Sequence, residues 1–170
     1  MEDTSIVNKT EPTQLAALLQ EYEPGFLPEP LFVAIARLVV LTAVEFIPLR
    51  KSQDGGVEVL LFKRPDTDPI WPNMLHTPGT MLRSTDDSFK DGFDRLFNDE
   101  LKIPYPSEPV FVGTDLVHHK RGTIVTLEYI VAIDQKTVGG EFYNVNDLPG
   151  SFIPEQIEMI KRAAARFIGL

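Results

Sequence analysis

The chain has 170 residues, which suits one domain with a proper core, and its 43% hydrophobic and 24% charged content is ordinary for a globular protein. Its 25 acidic residues outnumber 16 basic ones, and the net charge of −9 argues against broad binding to nucleic-acid backbones. A small nucleotide remains open, since a cation can neutralise its phosphates, whereas the lack of cysteine excludes a disulfide framework, a thiolate nucleophile and a cysteine-based zinc site.

The start, MEDTSIVNKTEPTQ, lacks the basic-then-apolar order of a signal peptide. The longest apolar run, Leu38 to Val44, broken only by Thr42, falls far short of the ~20 residues of a membrane helix. A soluble cytoplasmic protein without a membrane contact is therefore expected. Residues 1–10 read as frayed. Thr13 can cap a short helix carrying Leu15, Leu18 and Leu19, which Pro24-Gly25 would end, and prolines 28 and 30 make a stiff connector after it. Residues 1–28 are expected to be an arm and 29–170 the domain. The arm is an appendage, a homodimer contact, or a segment packed on the domain's own surface, the last being favoured.

From Leu31 to Val40 the apolar residues are too dense for periodicity to separate helix from strand. Val44–Leu49 and Val57–Phe62 read as strands, and Gln53-Asp54-Gly55-Gly56 between them predicts a hairpin. Lys63 and Arg64 lead into a proline-rich loop containing Trp71, which can anchor the core or stack a base. Val110–Val117 and Thr123–Ile133 read as a second antiparallel pair, joined by the basic stretch His118-His119-Lys120-Arg121. That stretch reads more simply as an exposed hairpin tip than as a phosphate contact. Glu128 lies mid-strand and needs solvent or a partner. A short strand at Phe142–Val145 precedes a last amphipathic helix, Pro154–Ile168, with Ile157, Ile160, Ala164 and Ile168 on its buried side. Strands followed by two separated helices predict an α/β sandwich.

The most informative stretch is HTPGTMLRSTDDSFKDGFDRLFNDELKI, His76 to Ile103. After a Pro-Gly loop, Ser84, Thr85 and Asp86 are all N-cap candidates. At 100° per residue Phe89, Phe93, Leu96, Phe97 and Leu101 share one side of a helix, and Asp87, Asp91, Asp94, Asn98 and Lys102 the other. Pro104, Tyr105 and Pro106 stop it. Glu100 falls near the middle of the apolar stripe, one turn beyond Leu96. A carboxylate there either lines a cleft, meets a cation or lies under the edge of the core.

This stretch resembles the Nudix box, the signature loop and helix of the Nudix hydrolase superfamily: Gly, five residues, Glu, seven residues, Arg-Glu, an aliphatic, any residue, Glu-Glu, any residue, Gly, an aliphatic. Arg95 to Ile103 aligns with its second half, Asp87 stands eight residues before Arg95 in place of the first Glu, and Gly79 then falls two residues early. VEVLLFKRP, Trp71, TPG and GGEFYNVNDLP resemble the flanking segments. Leu96 stands where the family has a metal-binding glutamate, and Lys102 where it has the last glycine.

The resemblance implies an α/β/α sandwich with a mixed sheet. It also implies hydrolysis of a phosphoanhydride in a nucleoside diphosphate linked to another group, with Mg²⁺ or Mn²⁺. Metal would fall to Glu100, Asp99 and Asp87, and catalysis to Glu100, Asp99 and Arg95, with Arg95 bracing the carboxylates. Gly79 and Thr80, through their backbone, Arg64 and His118 are the expected substrate contacts. Two alternatives stay open because of Leu96: a domain that binds a nucleotide-like ligand with little hydrolysis, and a protein-interaction domain.

Overall fold

The computed structural model describes residues 11–103, 108–120, 122–133 and 139–169. The expected frayed start, the Pro104–Pro106 stop and Arg121 lie outside the described residues. The frame is a mixed seven-stranded sheet formed by β1 (Val40–Lys51), β2 (Val57–Lys63), β3 (Leu75–His76), β4 (Gly79–Met81), β5 (Val110–His119), β6 (Gly122–Ala132) and β7 (Gly140–Asn144). Its main order is β3-β2-β1-β6-β5, with β4 paired to β1 and β7 to β2. Every described pairing between these strands is antiparallel except β1 with β6, which run parallel.

Alternation along β1 separates two cores. Val44 and Phe46 point to one face, where they pack with Phe93, Leu96 and Phe97. Ile47 and Leu49 point to the other, against Met159, Ile160, Ala163 and Ala164 of the closing helix. The layers are therefore helix, sheet, helix, the α/β/α arrangement expected.

The β1–β2 hairpin forms as Asp54-Gly55-Gly56 predicts; Gly55 has φ +85, open to glycine at no cost. The ambiguous stretch resolves into α2 (Glu29–Ala36) followed by the start of β1, a helix-to-strand change that periodicity alone does not locate. Before it, α1 (Pro12–Gln20) begins one residue ahead of Thr13, so Thr13 is inside the helix and not its cap. None of its residues is buried, and Leu15 and Leu18 are 50% and 53% exposed. The favoured reading, an arm packed on the domain's own surface, does not hold for α1.

The box helix departs from expectation at both ends. Its N-cap is Ser88, not Ser84, Thr85 or Asp86: the Ser88 backbone N–H donates to Asp91 Oδ2 at 2.8 Å in a capping box. Phe89, in the first turn, is half exposed instead of buried. Only Phe89–Asp94 (α3) is α-helical, and Arg95–Leu101 is π-helical. The closing helix, a 3₁₀ turn at Pro154–Gln156 and α4 (Ile157–Ile168), buries Ile160 and Ala164 as expected but leaves Ile168 68% exposed at its end.

Candidate functional site

Register places three rows of side chains on the sheet face that carries α4. Glu45 pairs with Gly79 on one side and Glu128 on the other, and Glu128 with Gly113. The next row is Met81, Ala43, Thr126 and Asp115, and the third includes Leu41, Ile124 and Val117. Most of these residues floor a cavity of about 810 Å³. Residues 25–27 of the arm and Phe32, Val33 and Ile35 of α2 wall it, with Arg64, Ile70, Trp71, His76 and Gln156 opposite. At the β4 edge the cavity reaches Thr80 and Glu100.

Of the two carboxylates in the first row, Glu45 depends on the glycine beside it, while Glu128 would tolerate a side chain at its neighbour. A Cβ at Gly79 would collide with the Glu45 carboxylate, and one at Gly113 would lie 3.7 Å from Glu128 Oε2. Burial pushes the Glu45 carboxyl up to about 8, helped by Glu128 and resisted by Arg64. Gln156 Nε2 donates to Glu45 Oε2 at 3.4 Å. Glu128 is 1% exposed, and Arg162 of α4 donates to its Oε1 at 2.7 Å, the partner that a mid-strand charge required. Its Oε2, like Thr77 Oγ1, is buried without a hydrogen-bond partner among the described residues. Burial, with Arg64 nearby, also pushes the His76 imidazole down to about 4, leaving it neutral at pH 7.

Around the box the residues separate into two groups. Gly79, Thr80, Arg64 and Glu100 meet at the cavity. Glu100 is exposed, not under the core edge, and its Oε1 accepts from Thr80 Oγ1 at 3.1 Å. Asp99 is exposed beside it on the π segment. Arg64 also holds Asp68 at 2.6 Å and lies 5.8 Å from the Trp71 ring centre. Burial would raise the Asp68 carboxyl, but the backbone N–H groups of Trp71 and Ile70, and then Arg64, outweigh it and keep it at about 2. His118 lies apart from the cavity on the exposed strand end, 3.0 Å from Thr123 Oγ1, while its neighbour Lys120 does line it.

Arg95 braces Asp86, not Asp87: its two terminal nitrogens sit 2.5 and 3.0 Å from the Asp86 oxygens, and one also donates to Met81 O at 2.9 Å. The guanidinium in turn holds Asp86 below the usual carboxylate range. Asp87 is exposed. With Asp86 as the first acid, Thr80 takes the box's first glycine position and the loop has its normal length. The extra residue then lies between Asp86 and Arg95. The i→i+5 turns begin only at Arg95, after that position. Leu96 is buried at 1% exposure, while Glu100, four residues on in the π segment, is exposed.

The family pattern implies a divalent ion. Asp99 and Glu100 offer adjacent carboxylates near the Gly79–Thr80 backbone, but among the described residues no three His, Cys, Asp or Glu side chains are grouped to hold a metal. Mg²⁺ commonly takes one or two carboxylates and completes its shell with substrate phosphates and water. The donor set fits an ion that arrives with a phosphate ligand, and it does not fit a resident three-carboxylate centre.

Sequence reading singled out Glu128 but missed Glu45, Thr77, Arg83 and Gln156. Glu45 had a signal, a lone charge inside the apolar strand VLTAVEFIPL.

No protein-family model matches the chain, and no curated protein does. Solved structures do. The Nudix domain of Shewanella oneidensis NrtR, complexed with ADP ribose, aligns with a TM-score of 0.60 at 17% identity, over 83% of this chain and 99% of that one. A MutT/Nudix family protein from Enterococcus faecalis gives 0.62 at 14% identity, over 94% and 70%. A MutT Nudix hydrolase from Burkholderia pseudomallei gives 0.59 at 13%, over 73% and 98%. At these identities the shared property is the fold.

Proposed function

Given that the chain has the Nudix fold, we propose that it binds a nucleoside diphosphate joined to a second group and hydrolyses the phosphoanhydride with Mg²⁺ or Mn²⁺. The observation that carries this reading is one cavity joining Glu100 and Thr80 to a floor of Glu45 and Glu128 and an apolar wall from α2. About 810 Å³ lies within the size range of small-molecule sites. The ADP ribose bound to the NrtR domain is a ligand of this class.

The divalent ion, when bound, would neutralise phosphate charge and lower the pKa of a coordinated water. Glu100 and Asp99 would hold it from the protein side. Arg83 and Lys120, which also line the cavity, would meet phosphate oxygens, and Arg64 would do so while keeping Asp68. The Arg95–Asp86 pair would fix the loop between β4 and α3, and with it the Thr80–Glu100 contact. Residues 25–27 and α2 would exclude water from the apolar end.

Product analysis across ADP-ribose, nucleoside diphosphate sugars and dinucleotides, with Mg²⁺ or with chelator, tests this. Metal-dependent release of a nucleoside monophosphate is expected. Tight binding without release from any substrate would favour the second reading, a ligand-binding domain with little hydrolysis, which the burial of Leu96 in the core supports.

A further inference from the structure

We propose that Glu45 and Glu128 form a base-reading subsite for a planar edge carrying two adjacent N–H donors, the ring N–H beside an exocyclic amine as in a 2-amino-6-oxopurine. The inference rests on the nucleotide reading above and names the part of the ligand that this floor selects. The parallel register sets the two carboxyl groups side by side, and Gly79 leaves Glu45 room. The floor of the cavity leaves oxygens unpaired: Glu45 receives one long hydrogen bond from Gln156, while Glu128 Oε2 and Thr77 Oγ1 are buried with no hydrogen-bond partner among the described residues. Buried acceptors left unpaired cost free energy that a donor-bearing ligand recovers. An ionised carboxylate accepts two parallel N–H bonds in one plane, which a two-donor edge matches and an edge alternating donor and acceptor does not; Glu45, which keeps its proton at pH 7 in the free protein, would release it on meeting such an edge. The adjoining apolar row, Leu41 and Ile124, would meet the face or far rim of the ring.

Guanosine and inosine diphosphates differ by one exocyclic amine, so comparing them isolates this contact. Calorimetry with full-length protein and Mg²⁺ should show GDP bound about tenfold more tightly than IDP, since hydrogen bonds to charged groups are the stronger ones. Glu45→Gln and Glu128→Gln, each checked for folding by melting temperature, should bring the ratio towards one. Should Glu128→Gln fail to fold, the Glu45→Gln ratio decides alone. Equal binding of GDP and IDP to the wild type, or a preference that survives Glu45→Gln, overturns the subsite and leaves the nucleotide reading standing. Failure of GDP, IDP and ADP-ribose all to bind overturns that reading and the subsite with it.

Discussion

Arg95 grips Asp86 with two hydrogen bonds of 2.5 and 3.0 Å while Asp87, the next residue, stays in solvent. The Arg95 and Asp86 side chains are only 12% and 7% exposed, so the pair is mostly desolvated. Removing one partner of such a pair strands the other. Asp86→Asn should therefore cost about 2–4 kcal/mol in urea unfolding, and Asp87→Asn about 0.5 kcal/mol or less. Equal effects would mean that the two aspartates are interchangeable.

Leu96 is enclosed by Val44, Phe46, Phe93 and Phe97, and the Phe46 ring lies 4.9 and 5.1 Å from those of Phe93 and Phe97. Restoring the family's glutamate with Leu96→Glu puts a carboxylate into that cluster, away from Glu100. A loss of about 3–5 kcal/mol is expected, with no recovery of melting temperature on adding Mn²⁺. Metal-dependent recovery would show that residue 96 can reach the ion.

How far the chain was legible depends on the range of the interaction. Asp54-Gly55-Gly56 specifies its hairpin locally, and the alternation in β1 and β2 is visible because each face meets a different core. The dense run at Leu31–Val40 gave no answer, since a helix wall and a strand start draw on the same apolar residues. The π segment was invisible for a related reason: an α-helical period fits the apolar residues of Phe89–Leu101, and residue type does not mark where the bonding changes to i→i+5. Glu45 and Glu128 are far apart in sequence, and only the parallel β1–β6 pairing brings them together. Their partnership is a product of topology, which residue spacing does not carry.

Lys102 closes the π segment in the left-handed region at φ 54, and Ile103 N–H donates back to Phe97 O at 3.1 Å. A side chain is strained there, and glycine is not. Lys102→Gly should raise stability by about 0.5–1 kcal/mol, read as a higher urea midpoint with unchanged slope. A lower midpoint would mean that the lysine side chain contributes more than its backbone costs.

The buried titratable groups set the pH limits of stability. The folded Glu45 carboxyl titrates at about 8 against an ordinary 4.5. Between those values the unfolded chain loses a proton that the folded chain keeps. Stability should fall as pH rises through that window, by up to about 1.4 kcal/mol per pH unit. His76, held at about 4 against 6.5, acts in the opposite sense, and stability is lost as pH falls from 6.5 towards 4. Melting temperatures from pH 5 to 9 should show a flatter alkaline limb in Glu45→Gln and an unchanged acid limb. Identical alkaline limbs would place the Glu45 carboxyl in a solvated setting.

Asp99 and Glu100 are expected to hold Mg²⁺ only together with ligand phosphates, and the direct measurement is a Mg²⁺ titration with and without ADP-ribose. Mg²⁺ alone should give negligible heat, binding should become saturable once ADP-ribose is present, and Glu100→Gln should abolish that coupling. Mg²⁺ binding of equal strength without the nucleotide, or ADP-ribose affinity indifferent to both Mg²⁺ and Glu100→Gln, would contradict a metal site completed by the ligand.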